Sequence, residues 1–175
     1  MKTLYSESWF TQQIHKNQNI IHKVCSVYSR CEEDRKDLYQ EIVLQLWKSH
    51  LYFRGEAKFT TWMYRVAINT ALTIKRKDRC QLVNTEISET MLQKHLEEYD
   101  YETEEKIKIL YRAIEKLGKV ERAIILLWLD EKSYAEISEI IGISEKNVSV
   151  KLVRIRKKLD ELIKQHSNRE SHENK

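Results

Sequence analysis

Apolar positions recur at helical intervals in two blocks of the first half of the chain. Leu38, Ile42, Val43, Leu46 and Trp47 form one block, and Trp62, Met63, Val66, Ala67, Thr70, Ala71 and Ile74 form the other. Spacings of one, three and four residues stack side chains on one face of an α-helix, so the pattern predicts two helices packed on each other. Between them, residues 50–59 read HLYFRGEAKF, a loop that presents aromatic and basic side chains around Gly55. Thr60 or Thr61 is placed to cap the helix that follows. Regular spacing lapses from Gln81 to Glu105, where Leu82, Val83, Ile87, Met91 and Leu96 define no single face. This stretch reads as a linker with one short helix. Periodicity returns at Ile107, Leu110, Tyr111, Ile114 and Leu117, breaks at Gly118 and resumes from Ala123 to Leu129.

The sharpest pattern is SYAEISEIIGISEKNVSVKLVRIRKKL, residues 133–159. Ser133 and Glu136 have capping-box spacing, in which the hydroxyl accepts from an orphan amide and the carboxylate reaches back to the first one. Ala135, Ile137, Ile140 and Ile141 give that helix an apolar stripe. Gly142 stands where a sharp turn needs positive φ, and Ser144 can cap a second helix. Helix, short glycine turn, helix is a DNA-binding arrangement. In the second helix Val148, Leu152, Ile155, Leu159 and Leu162 alternate spacings of four and three, forming a seam that must face a core. The opposite face is centred on Lys146, Val150, Val153, Arg154 and Lys157, with Asn147, Ser149, Lys151 and Arg156 on its flanks. Arg and Asn can read base edges, valines can meet thymine methyls, and lysines can neutralise phosphates. A merely solvated basic face would not carry two valines.

Composition agrees with an all-helical chain. Among 175 residues there is no proline and only three glycines, too little punctuation for hairpins. The expected fold is all-α: two small helical domains, residues 1–80 and 106–165, joined by an acidic linker over 81–105 and followed by a polar tail over 166–175. Charge divides the same way. Residues 1–80 carry 14 Lys and Arg against 8 Asp and Glu, residues 81–105 carry 1 against 8, and residues 106–175 carry 16 against 11. Two basic blocks around an acidic one suggest two units that each meet a polyanion.

Other chemistry is thinly represented. No apolar run approaches the roughly 20 residues that span a bilayer, and the first ten residues do not resemble a signal peptide, so no membrane insertion and a cytoplasmic location are expected. Cys25, Cys31 and Cys80 are too sparse to suggest a disulfide framework. His22, Cys25 and Cys31 lack a fourth ligand at a familiar spacing, so neither metal nor cofactor is expected. Neither a phosphate-binding glycine loop nor a catalytic triad order is present, so an enzyme is not expected.

The blocks together resemble sigma factors of the extracytoplasmic-function group. The resemblance rests on Asp37-Leu38-Tyr39-Gln40-Glu41, on Leu46-Trp47, on FRGEAKFTTWMYRVAINTA from Phe53 to Ala71, and on the helix-turn-helix. It implies an alternative sigma factor that binds core RNA polymerase, through its β′ and β subunits, and directs initiation at specific promoters. Asp37, Gln40 and Glu41 would dock on the β′ coiled coil. Phe53, Arg54, Lys58, Phe59, Asn69, Lys75, Arg76, Lys77 and Arg79 would recognise and open the minus-ten element of promoter DNA. There an extruded base needs an apolar pocket and the freed strand needs cations. Ser144, Lys146, Asn147, Ser149, Val150, Lys151, Val153, Arg154, Arg156 and Lys157 would read the minus-thirty-five element. An anti-sigma factor is a further implied partner. Gly118, where the family usually has a proline-rich turn, is expected to loosen that junction. Ser149 and Val150, where the family more often has a basic and a small polar residue, imply a different direct readout. The rival reading is a stand-alone helix-turn-helix regulator, which would lack the polymerase-docking surface; a helical protein-binding adaptor would show no salt-dependent DNA binding.

Overall fold

The structure, a computed structural model, describes residues 5–29, 31–74 and 101–173, with side chains in the last segment from 106 to 165. Lys75, Arg76, Lys77, Arg79 and most of the acidic linker lie outside the described residues. Everything regular within them is helical. The order is α1 (Glu7–Lys16), α2 (Gln18–Tyr28), α3 (Glu32–Ser49), a 3-10 turn (His50–Tyr52), α4 (Phe59–Thr73), α5 (Tyr101–Glu115), α6 (Lys119–Leu129), α7 (Tyr134–Ile141) and α8 (Glu145–Glu173).

Local chemistry sets these boundaries. The Ser6 hydroxyl accepts from the Trp9 amide at 3.2 Å and starts α1. Three acids, Glu32, Glu33 and Asp34, open α3 and Lys48 lies in its last turn, both favourable to the helix dipole. The Ser133–Glu136 capping box forms as expected, with the Glu136 amide donating to Ser133 Oγ at 3.2 Å and the Ser133 amide to Glu136 Oε2 at 3.0 Å. Gly142 closes α7 at φ 78, and the Asn147 amide donates to Ser144 Oγ at 3.3 Å at the start of α8.

Several details differ from the sequence expectations. α4 starts two to three residues early, with Lys58 rather than Thr60 or Thr61 at the N-cap position and no side-chain cap bond, and Thr61 is buried. Gly118 has an ordinary φ of −64 and its amide donates to the Glu121 carboxylate at 2.8 Å, so the junction is capped and not loosened. Helix α5 begins at Tyr101, inside the stretch assigned to the linker. Ala135 faces solvent although its spacing placed it in the stripe of α7. Cys31 is disulfide-bonded, although the sparse cysteines suggested no disulfide framework, whereas Cys25 takes part in no disulfide and is 0% exposed in the core.

Helices α1 and α2 were not anticipated from spacing, although Ile20, Ile21, Val24, Val27 and Tyr28 are buried at helical intervals. Together with Leu38, Ile42 and Leu46 of α3 and Met63, Tyr64, Ala67, Ile68 and Ala71 of α4 they fill the first core. At one end Tyr5, Trp9, Phe10, Phe53, Phe59 and Trp62 cluster with neighbouring centroids 4.2–6.2 Å apart, Trp9 stacking near-parallel with Tyr5 and Phe53 and the others meeting edge to face or obliquely. The second core unites Ala113 and Ile114 of α5, Leu117 in the turn after it, residues 123–127 of α6, Ile137 and Ile140 of α7, and Val148, Leu152, Ile155 and Leu159 of α8. These two helical groups are packed together: α2 lies on α5 and α6, α4 lies on α6 and α7, and the buried residues form one continuous cluster.

Candidate nucleic-acid interface

Helix α8 divides as its sequence requires. Val148, Leu152, Ile155 and Leu159 are at most 6% exposed, and Leu162 is half-buried beside them. Lys146, Asn147, Val150, Lys151, Val153, Arg154 and Lys157 are exposed on the other side, with Ser149 half-buried on the flank. The structure therefore brings these residues together on one open face. Arg156 is exposed, but its guanidinium lies over the Trp128 ring, 5.4 Å from the centroid. Sequence reasoning did not single out Trp128, and only a contact between separate helices reveals this pairing. Lys158 is turned inward to the Glu121 carboxylate at 3.1 Å. The Gly118 amide, joined by Lys158, holds that carboxyl below its usual range.

In the first group the loop residues separate. Arg54 and Lys58 are exposed, Phe59 is half-buried, and Phe53 is only 7% exposed, enclosed by Tyr5, Trp9, Phe59 and Trp62. The Phe53 ring is thus a wall of the aromatic cluster and not a surface presented to a base. Asn69 is exposed on α4 and lines a groove of about 420 Å³ between α3 and α4, together with Glu41, Gln45, Ser49, Thr70 and Thr73. Residues assigned by sequence to different partners, Asn69 and Glu41, so border one groove. Arg65 was not foreseen. It is exposed and shares a strip with Lys58 and Asn69, seven and four residues away, a spacing that could have identified it.

The outer face of α3 carries Asp37 and Gln40 exposed and Glu41 half-buried, the last accepting from Gln45 Nε2 at 2.7 Å. Leu44 at 43% exposure and Trp47 at 41% continue the same face, and Leu51 and Tyr52 extend it into the 3-10 turn. Trp47 had been expected inside. Among the described residues no cluster of His, Cys, Asp or Glu could hold a metal ion, and no helix is long and apolar enough to cross a membrane.

Residues 13–80 match the family model described as Sigma-70 region 2, and residues 107–159 match Sigma-70, region 4. The chain is 32% identical over 152 residues to the ECF RNA polymerase sigma-E factor of Escherichia coli (strain K12), covering 79% of this chain and 80% of that protein. Its Haemophilus influenzae counterpart is 28% identical over 167 residues, covering 88% and 87%. Two solved structures share the fold. CnrH in complex with the cytosolic domain of CnrY gives a TM-score of 0.65 at 18% identity, over 91% of this chain and 90% of that one. The sigma factor RpoE in complex with the anti-sigma factor NepR from Bartonella quintana gives 0.62 at 16% identity, over 89% and 96%.

Proposed function

The chain belongs to the extracytoplasmic-function group of the sigma-70 family, and from that premise we propose how its surfaces serve an alternative sigma factor that directs transcription initiation. Residues 106–165 read the minus-thirty-five element through the open face of α8. Residues 1–80 bind core polymerase and engage the minus-ten element, and the acidic segment 81–105 joins them. The observation that carries this reading is the division of α8, whose buried seam turns Arg154, Val150, Val153 and Lys157 outward on a helix-turn-helix. Chemistry stays with the polymerase, and the chain contributes recognition only.

Docking on the β′ coiled coil uses Asp37, Gln40 and Glu41, with Leu44 and Trp47 adding apolar contact on the same face. A polar rim beside exposed large apolar side chains is the composition of a protein interface. On the strip of α4, Lys58 and Arg65 suit a phosphate backbone and Asn69 suits a base edge. Its relatives in the solved complexes bind CnrY and NepR. An anti-sigma partner in the cytoplasm is the corresponding proposal for this chain.

The two promoter elements lie about 25 base pairs apart, roughly 85 Å of duplex at about 3.4 Å per pair, so both groups must be widely separated when both are bound. Run-off transcription with core polymerase on a pool of genomic promoters tests the reading. Specific transcripts should require the chain, and a core enzyme that stays inert would leave a stand-alone regulator. Asp37→Ala or Glu41→Ala should weaken capture of core polymerase while leaving the helical circular dichroism unchanged.

A further inference from the structure

The segment that joins α3 to α4 belongs to no helix from Phe53 to Lys58. Its backbone turns at Gly55, where φ is 74, a left-handed conformation that favours glycine. Arg54, Gly55, Glu56 and Lys58 are exposed, whereas Phe53 at its start is buried and Phe59 just beyond its end is half-buried. A loop outside regular structure lacks the repeating backbone bonds that fix a helix. The backbone entropy lost in ordering it must then be offset by side chains packed against it.

Those side chains come from the start of the chain. Trp9 of α1 meets both feet of the loop: its ring lies near-parallel to Phe53 with centroids 6.2 Å apart, and edge-on to Phe59 at 5.6 Å. Tyr5 stacks on Trp9 at 4.2 Å and reaches Phe53 at 5.3 Å. The Ser6 hydroxyl, which caps α1 through the Trp9 amide, fixes how these two rings stand to each other. At the turn itself the Tyr5 hydroxyl abuts the glycine: a Cβ added to Gly55 would stand 2.5 Å from Tyr5 Oη and 3.5 Å from its Cζ. Glycine is therefore required there twice over, by its φ and by the tyrosine against it. Both Tyr5 and Trp9 precede residue 13, where the match to Sigma-70 region 2 begins.

We propose that Tyr5 and Trp9 are positioning residues for promoter opening: without touching nucleic acid themselves, they hold the loop in the shape that presents Arg54 and Lys58, on either side of the Gly55 turn, to the freed strand. A loop ordered in advance meets the strand without a further ordering cost at the moment of binding. Released from its aromatic support it would sample many shapes, and apparent affinity would fall with the fraction of molecules still correctly shaped. The outer face of α8 lies in the other helical group, contains none of these residues and should not respond. The inference rests on the assignment of the loop to the minus-ten element, and the test separates the two.

The test uses the full chain with core polymerase, on a promoter recovered by run-off transcription and well below the unfolding temperature. It compares affinity for a fluorescent single strand carrying the minus-ten element, affinity for a fluorescent duplex carrying only the upstream element, and permanganate reactivity of unpaired thymines. If Tyr5→Ala leaves about a tenth of the loops correctly shaped, single-strand affinity falls about tenfold and thymine reactivity falls with it, while duplex affinity and polymerase capture are unchanged. Trp9→Ala should act in the same direction and more strongly, because Trp9 meets both feet of the loop. Tyr5 is only half-buried, so its substitution carries the test even if Trp9→Ala does not fold. The contact at Gly55 supplies a readout that loss of stability alone would not move. Gly55→Ala should lower single-strand affinity, and adding Tyr5→Phe, which removes the obstructing hydroxyl and keeps the ring, should return part of that loss. Unchanged single-strand affinity in Tyr5→Ala would overturn the positioning role, and so would an equal fall in duplex affinity, the mark of a general loss of fold. If Arg54→Ala and Lys58→Ala bound single strands as well as the parent did, the assignment of the loop to the minus-ten element would fall, and the positioning role with it. Run-off transcription reads the sigma function separately from all of these.

Discussion

Helices α4 and α8 are both assigned to promoter DNA, yet they are built in opposite ways. α8 packs along one seam and leaves the facing side open, with Val153 at 67% exposure next to Leu152 at 2%. α4 buries Thr61, Met63, Tyr64, Ala67, Ile68, Thr70 and Ala71, which together take up about half of the helix circumference at 3.6 residues per turn, because α2, α3, α6 and α7 all lie against it. Only a narrow strip with Lys58, Arg65 and Asn69 remains. A helix docked along a narrow seam leaves most of its circumference to a groove, whereas a helix buried over half its circumference offers a ligand a narrower face.

The largest expected effects test that contrast directly. Ile68→Ala in α4 and Leu152→Ala in α8 each remove a large side chain from a filled core, and each should cost about 2–5 kcal/mol. Urea unfolding of the full chain measures both. The two helices should differ in how losses are distributed. Truncations of Met63 and Ile68, on different sides of α4, should both be costly, whereas in α8 only seam positions should be. A cheap substitution at either α4 site would mean that the helix is docked on one side after all.

Next in size are effects on binding. Arg154→Ala should cost about 1–3 kcal/mol and relax preference at one base of the upstream element, as loss of a base-edge contact does. Lys157→Ala should weaken binding to every sequence alike and lower the salt slope by about one unit. Affinity for single-base promoter variants at two salt concentrations separates them, and uniform losses from both would reduce α8 to a phosphate clamp. Gly142→Ala should destabilise the second group by about 1–2 kcal/mol through its φ of 78 alone, since a Cβ there would meet nothing within 4 Å. Chemical unfolding checks this, and Gly142→Asn should recover part of the loss.

The same contrast explains what could be read from sequence. One-sided packing writes a periodic signal, so the seam and outer face of α8, its cap at Ser144 and the turn at Gly142 were legible residue by residue. Packing over half the circumference blurs the signal. In α4 the spacing pointed to Trp62 and Val66, which are half-buried, and passed over Tyr64 and Ile68, which are fully enclosed. Trp47 shows the converse error, since its spacing resembled core while its ring lies on the exposed side of α3. Phe53 was read as a loop aromatic because nothing local shows that Tyr5 and Trp9, more than forty residues earlier, surround it. The contact that joins Asp130 to Lys23, Tyr64 and Lys132 brings together residues that share no local pattern, so sequence spacing carried no trace of it.

The smallest expected effect is at Val153, and it separates the two uses of α8 most cleanly. A valine at 67% exposure makes few contacts within the protein, and Ala has the higher helix propensity. Val153→Ala should therefore change stability by no more than about 0.5 kcal/mol in either direction, as surface substitutions usually do. Its stem methyls can act only on something outside the chain. If that partner is a thymine methyl in the major groove, the substitution should lower affinity where thymine stands at one position and have no effect where cytosine replaces it. Val150, at 43% exposure, offers the same chemistry one position short of a turn earlier on the helix and should report on a neighbouring base. The measurement is a comparison of thymine, cytosine and 5-methylcytosine at each position, because 5-methylcytosine returns the methyl group without the thymine carbonyl. Recovery with 5-methylcytosine in the parent, and its absence in Val153→Ala, would assign the contact to the methyl. Equal binding by parent and variant to all three bases would make Val153 a solvated residue and leave Arg154 as the reader on that side of α8.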